Sequence, residues 1–363
     1  MNSTKFLDLL LLLALLLISN SLSAKLRTNT KGTLSEAQAK TLIATYQPVV
    51  YLHRDETYFP TSVENLKIDW TNVSFQNTDT YVALGNTGPS SFDSTAPIYT
   101  SVYEDTSAGT VRISYIFLFG FNGCGPEARI KASFVGISVD DWIALCPADK
   151  HWGDVEHIEV LLTKNSAGNY ATFSQITYAF HQWSKIYTSD GSQNGKISDH
   201  VSFESSTHPV VWLAKGSHAS YSTGGDQYYY DIFDVSKSKK VVVVTVKVYS
   251  ASLYFVDFTD SDKTKAHRWY GTAKLLKLNG NSVSGISSDE YKLGFTYYGR
   301  LGVQWTDSSV SGLDSVLSKI KSAANTLGFT AIKNGCASGI AELDKYYQAT
   351  GVTGVAAPSR TWW

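Results

Sequence analysis

The sequence predicts an all-β protein: an antiparallel β-sandwich with a short N-terminal helix and a helical C-terminal appendage. Three observations lead there. Many short runs alternate apolar and polar residues between clusters of Gly, Asn, Asp and Ser. Aromatic residues are plentiful, with Tyr 22, Phe 16 and Trp 9 among 363 residues, and they suit pleated, half-buried strands. The strand-then-helix rhythm of a parallel α/β sheet is missing, which argues against a Rossmann-type cofactor site.

At the start, Lys5 precedes an apolar run from Leu9 to Ile18, and Ser21, Ser23 and Ala24 supply small residues before Lys25. This layout predicts a secretory signal peptide over residues 1–24, cleaved after Ser23 or Ala24. The run is short for a membrane span; an uncleaved anchor is the alternative. About 340 residues then remain, enough to bury a sizeable core.

Thr33-Leu34-Ser35-Glu36 reads as a capping box that opens a helix ending before Pro48. Strands are expected over residues 49–53, 98–104, 111–119, 157–163, 170–180, 210–215, 228–235, 241–249, 253–258, 273–278 and 290–298. Val111, Ile113, Tyr115, Phe117 and Phe119 form one apolar row, and Val242, Val244, Val246 and Val248 form another. These strands make a sandwich domain over residues 25–306. From 307 to 363 the character changes: Leu313, Leu317, Ile320, Ala324 and Leu327 recur at helical spacing. That stripe is read as a core-facing appendage, with a lipid- or partner-binding segment as the alternative.

Charge and cysteine content bound the function. Lys+Arg 31 against Asp+Glu 32 gives a net charge of -1, so there is no basic field for nucleic acid. Three cysteines in an exported chain allow one disulfide and leave an odd thiol. Cys124 with Cys146 is the preferred pair, clipping a Gly-rich loop, while pairs with Cys336 stay open. Asn72-Val73-Ser74 is an acceptor for N-glycosylation.

Imidazoles and carboxylates concentrate in two segments, His151-Trp152-Gly153-Asp154-Val155-Glu156-His157 and Gly216-Ser217-His218-Ala219-Ser220-Tyr221. Strand alternation puts Asp154 and Glu156 on the face of Ile158, Val160 and Leu162, and His157 on the other. Carboxylates at the buried end of a strand are costly unless paired, hydrogen-bonded or bound to a cation. Two readings follow. Asp154, Glu156, His157 and His218 form a ligand or divalent-cation site, with His53 and His151 behind them; or they form a buried hydrogen-bond network that fixes strand register. Ser217 and Ser220 offer nucleophile types beside His218, but adjacent strand positions face opposite ways, and no G-x-S-x-G elbow, H-E-x-x-H motif or phosphate loop is present.

These segments resemble the vacuolar protein sorting-associated protein 62 family. Its G-D-W-E-H motif stands as Gly153-Asp154-Val155-Glu156-His157, and its G-S-H-A-S-Y motif as Gly216 to Tyr221 after Pro209-Val210-Val211. Pro48 to Glu64, with His53, Asp55, Glu56 and the Tyr58-Phe59-Pro60 turn, also fits, as does Tyr298-Gly299-Arg300-Leu301-Gly302. Two departures stand out: Val155 replaces a Trp, and the family's S-Q-H element is Ser174-Gln175-Ile176, with His181 further on. The resemblance adds Gln175 and His181 to the residues behind the site. It implies a β-rich domain that is secreted or held in the vacuolar or endomembrane lumen. A fainter likeness is to the necrosis- and ethylene-inducing toxin family, whose G-H-R-H-D-W-E motif also gathers His, Asp and Glu around a cation.

The function expected from these readings is a secreted, toxin-like β-sandwich that binds a membrane-surface lipid head group or a glycan with a divalent cation. The alternatives are a metal-dependent hydrolase using the same cluster, or an accessory role in vacuolar protein delivery.

Overall fold

The computed structural model describes residues 32–71, 81–82, 84–86, 88–123, 127–134, 137–144, 151–180, 183–241, 244–292 and 300–301. In chain order the elements are α1 (Glu36–Tyr46), β1 (Val49–Leu52), β2 (Tyr81–Val82), β3 (Ile98–Asp105), β4 (Thr110–Asn122), β5 (Glu127–Phe134), β6 (Ile137–Ala144), β7 (His151–Lys164), β8 (Tyr170–Phe180) and β9 (Trp183–Thr188). They continue with α2 (Ile197–His200), β10 (Phe203–Glu204), β11 (His208–Leu213), β12 (Ser220–Tyr221), β13 (Asp226–Val241), β14 (Val244–Phe258), β15 (His267–Trp269), β16 (Ala273–Leu278), β17 (Asn281–Ser282), α3 (Ser288–Tyr291) and β18 (Arg300–Leu301). The fold is β-dominated and sandwich-like, as the sequence predicts. The expected signal peptide, Asn72, Cys124, Cys146, Cys336, His181 and the C-terminal appendage lie outside the described residues.

The main sheet has seven strands in the order β17-β16-β3-β4-β7-β8-β9. Its inner face carries the predicted row Val111, Ile113, Tyr115, Phe117 and Phe119 together with Ile158, Val160 and Leu162, all buried in one apolar cluster. Ala39, Ile43 and Tyr46 of α1 close that cluster from one side, and a five-stranded sheet of β10, β11, β1, β15 and β12 closes it from another. β1 shows how the layers share residues: Val50 and Leu52 enter the main core, while Val49 and Tyr51 enter a second cluster on the far face. A strand buried on both faces reads as a continuous apolar run, and here it is Val-Val-Tyr-Leu. The main sheet is covered on its back as well, where Ile116 and Leu118 pack with Val63, Leu66, Tyr99 and Leu276.

Three details differ from expectation. The pairing is mixed: β1 with β11, β3 with β16 and β2 with β18 run parallel. The helix cap is Ser35, not Thr33. Ser35 Oγ accepts from the Gln38 amide at 3.3 Å while Gln38 Oε1 accepts from the Ser35 amide at 2.8 Å. Thr33 is drawn off to Glu104, to which its hydroxyl donates at 3.2 Å. Glu290 and Tyr291, expected to open a strand, lie in α3, because Ser287 and Glu290 make a capping box of their own.

A four-stranded antiparallel sheet, β13-β14-β5-β6, completes the set. The sequence reading ended one strand near Tyr249 and began another at Leu253; the chain instead continues unbroken as β14 through Ser250-Ala251-Ser252.

Candidate functional site

His218 lies at the centre of the candidate site. It sits in the connection between β11 and β12, where Gly216 (φ 73) and His218 itself (φ 53) both take left-handed backbone. Glycine tolerates that conformation and histidine seldom adopts it, so the turn must be held. The Ala214 amide donates to the Ala219 carbonyl at 3.0 Å and the His218 amide to the Ala214 carbonyl at 3.0 Å. This tight reversal drives the imidazole inward.

Inside, the ring is fully buried and stacked flat on Phe119, with centroids 3.7 Å apart. Nδ1 donates to Asp154 Oδ2 at 2.8 Å. Nε2 donates to the Tyr58 carbonyl at 3.1 Å and lies 3.6 Å from Glu56 Oε2. Glu56 is itself fixed: Oε1 accepts from the Thr57 and Tyr58 amides at 2.8 and 2.9 Å, and Oε2 from the Gly216 amide at 2.7 Å. The result is a buried carboxylate–imidazolium–carboxylate set that ties the turn after β1, the start of β7 and the β11–β12 connection together.

The electrostatics follow from that geometry. Burial alone would push the His218 imidazole down; the charge of Glu56 and the hydrogen bond to Asp154 outweigh it and raise it to about 9. Burial would push Glu56 up, but the His218 charge and the Gly216 and Tyr58 amides hold it down to about 2. An ion set of this kind is costly to bury and costlier to break. It has no spare coordination for chemistry, because both ring nitrogens are engaged within the protein.

The other predicted residues are placed as follows. Asp154 and Glu156 are both buried on the inner face, opposite Phe119 and Phe117 of β4. His157 is on the opposite face, paired with Ile116, and burial pushes its imidazole down to about 4. His53 accepts the Asp55 amide on Nδ1 at 3.1 Å, and burial lowers its pKa. Gln175 pairs with Leu161 and Thr188, far along the sheet from Asp154, and donates to Thr177 Oγ1 at 2.9 Å. His151 begins β7 opposite Asn122. Ser217 turns away from His218 and donates to Asp257 Oδ1 at 3.2 Å, beside Tyr221, whose hydroxyl donates to Asp257 Oδ2 at 2.6 Å. Among the described residues no group of three or more His, Cys, Asp and Glu side chains is placed to hold a metal ion. The sequence reading missed Glu56, Tyr58 and Phe119 as partners of His218. Glu56 stood in the segment that carries the family resemblance, but nothing in its local pattern marked it as buried.

A second feature is open to solvent. A groove of about 670 Å³ is lined by Lys40, Thr41, Ala44 and Thr45 of α1, by Thr207 and His208, and by Tyr270. Tyr270 is 39% exposed and meets His208 edge-on, with ring centroids 5.4 Å apart. Arg268 lies 5.7 Å from the Tyr270 ring. His208 Nδ1 donates to the Gln47 carbonyl at 2.8 Å, which fixes the ring at the groove wall.

No protein-family model and no curated protein matches the chain. Solved structures align with it at low similarity. One described as the non-toxic HaNLP3 protein is 9% identical, with 76% of this chain and 88% of that chain covered and a TM-score of 0.33. NLPPya in complex with glucosamine is 11% identical, with 78% and 91% covered and a TM-score of 0.32. Necrosis and Ethylene inducing Protein 2 from the causal agent of cocoa's Witches Broom disease is 17% identical, with 50% and 67% covered and a TM-score of 0.27.

Proposed function

We propose that this protein is a secreted, non-catalytic glycan-binding β-sandwich, and that the saccharide lies in the groove between α1, the β10–β11 turn and Tyr270. The groove's lining carries the reading. A volume of about 670 Å³ falls in the range of small-ligand sites. Its wall combines an exposed aromatic ring with threonine hydroxyls, an ammonium and an imidazole. An aromatic face takes the C–H face of a sugar, and the surrounding hydroxyls exchange hydrogen bonds with its hydroxyls. Among the described residues the lining holds no carboxylate to serve as acid or base. The His218 cluster supports a binder rather than an enzyme, since a sealed imidazolium with both nitrogens engaged admits no substrate.

The test is titration calorimetry and an array of neutral, amino and acidic saccharides with the full chain. Tyr270→Ala is expected to weaken saccharide binding at least tenfold, about 1.4 kcal/mol, with an unchanged melting temperature. Absence of saccharide binding, or binding indifferent to Tyr270→Ala, overturns the reading.

A further inference from the structure

Glu104 belongs to neither the His218 cluster nor the groove, and its surroundings are unusual for a carboxylate. It stands on β3 opposite Val111 and is 2% exposed. Buried charges are ordinarily paired with an opposite charge. Here every group that bonds to the carboxylate is neutral. The Tyr170 hydroxyl donates to Oε1 at 2.7 Å and the Thr33 hydroxyl at 3.2 Å. The Leu34 amide donates to Oε2 at 2.9 Å, and the Thr33 amide donates to the same oxygen. Burial would push the carboxyl up, but the Tyr170 hydroxyl and the Leu34 and Thr33 amides outweigh it and hold it below the usual range. Among the described residues no Lys, Arg or His side chain is paired with Glu104.

The chain can supply the missing cation itself. Gly32 lies directly before the two residues that Glu104 binds, and it presses on the same site. A Cβ at this position would collide with the side-chain amide of Asn279, whose oxygen accepts from the Glu104 amide at 2.7 Å. The Gly32 nitrogen is one residue, about 3.8 Å of chain, before the Thr33 nitrogen. Ahead of it the sequence reads Lys25-Leu26-Arg27-Thr28-Asn29-Thr30-Lys31, basic and without an acidic residue. Residues 32–35 stand before α1 outside any helix or strand, and Thr33 is exposed. Polar, exposed segments next to a terminus are preferred sites of proteolytic cleavage.

We propose that residues up to Lys31 are a leader removed by an endoprotease specific for basic residues, and that the α-ammonium created on Gly32 completes the Glu104 site. Water adds across the Lys31–Gly32 bond. Lys31 leaves with the new carboxylate, while the Gly32 nitrogen keeps its place and takes up a proton. An opposite charge within about 4–6 Å favours the ionised carboxylate, and a charged donor bonds about twice as strongly as a neutral one. The cut therefore tightens the fold rather than loosening it. It ties the entry of α1 to β3, and α1 closes the main core through Ala39, Ile43 and Tyr46. The cap of α1, made by Ser35 and Gln38, lies beyond the cut and is untouched.

The test uses the full chain, secreted and folded, treated briefly with trypsin as the basic-specific probe. N-terminal sequencing is expected to find a chain that starts at Gly32, with a melting temperature higher by about 2–4 °C, the shift expected of one charge-assisted contact in a domain of this size. A start at Gly32 before any trypsin supports the proposal equally, with Lys31→Gln as the uncut reference. Lys31→Gln should keep the leader and show no rise. Glu104→Gln should be cut without a rise. Inserting one glycine after Lys31 leaves the cut and the charge but moves the ammonium a residue away, and should at least halve the rise; this variant serves even where Glu104→Gln does not fold. The proposal is overturned if the folded chain is not cut after Lys31, or if the cut chain melts no higher than the uncut one. A rise that survives the glycine insertion in full also overturns it. No saccharide enters these measurements, so they stand apart from the glycan reading.

Discussion

Glu56 decides the state of the buried histidine. His218 is stacked on Phe119 and sealed from solvent, an environment that by itself expels charge. A carboxylate already fixed by three backbone amides reverses that preference, because its orientation costs nothing more when the imidazole arrives. Glu56→Gln keeps the shape and removes the charge, leaving a buried imidazolium with Asp154 as its single carboxylate partner. Breaking a buried pair from one side costs about 3–5 kcal/mol, so calorimetry should show a markedly lower melting temperature with saccharide affinity at the groove unchanged; a shift under about 2 °C would mean that the charge of Glu56 contributes nothing, since 1 kcal/mol moves a domain of this size by roughly 2–4 °C. The meeting of Asp154 with His218 was legible in the sequence, because a carboxylate on the apolar face of a strand needs a partner and the histidine motif offered one. Glu56 was not legible. It lies in a turn with no periodicity, and its contact with Gly216 spans 160 positions.

Elements were legible where one period dominates. The row from Val111 to Phe119 alternates cleanly and is buried as expected. Caps were ambiguous because two frames overlap: Thr33 with Glu36 and Ser35 with Gln38 both satisfy the capping pattern. Tertiary structure selects the second. Glu104, buried and bonded to the Tyr170 hydroxyl at 2.7 Å, captures Thr33 and the Leu34 amide, leaving Ser35 to cap α1. Ser35→Ala is therefore expected to cost about 1 kcal/mol, read as lost protection of the first-turn amides in hydrogen exchange. Thr33→Ala should leave those amides protected, acting instead through the hydrogen bond to Glu104. Equal losses in both variants would return the cap to Thr33. The break expected between Tyr249 and Leu253 failed for a related reason: Ser250 and Ser252 read locally as turn residues, but each is paired on both sides, with Ser236 and Ser133 and with Asp234 and Lys131. Strand propensity depends on cross-strand neighbours, and a single sequence does not display them.

At the scale of the whole molecule, His218, Glu56 and His157 are buried titrating groups whose shifts combine in the pH profile. His218 is raised from 6.5 to about 9, so its stabilisation is complete below pH 6.5 and is lost as pH climbs through 9. Glu56 is lowered from 4.5 to about 2, so its contribution is complete above pH 4.5 and is lost as pH falls towards 2. His157 is lowered from 6.5 to about 4 by burial; the unfolded chain takes up its proton first, and stability drops as pH falls from 6.5 to 4. The three together place maximal stability near pH 6.5, with a decline on each side. On the alkaline side up to pH 9 His218 sets the slope, on the order of 3 kcal/mol at 1.36 kcal/mol per unit. On the acid side His157 and His53, both lowered by burial, act first and Glu56 second, giving a decline that begins below pH 6.5 and continues past 4.5. Melting curves recorded from pH 3 to 10 test this, and the variants separate the arms. His157→Gln should reduce the first part of the acid decline, leaving the share of His53, and keep the alkaline arm intact. Glu56→Gln should flatten both the alkaline arm and the region below pH 4.5, because the same ion pair raises His218 and lowers Glu56. A stability maximum above pH 8 would be incompatible with a protonated His218 in the folded core, and an alkaline arm unchanged by Glu56→Gln would move the source of that charge to Asp154 alone.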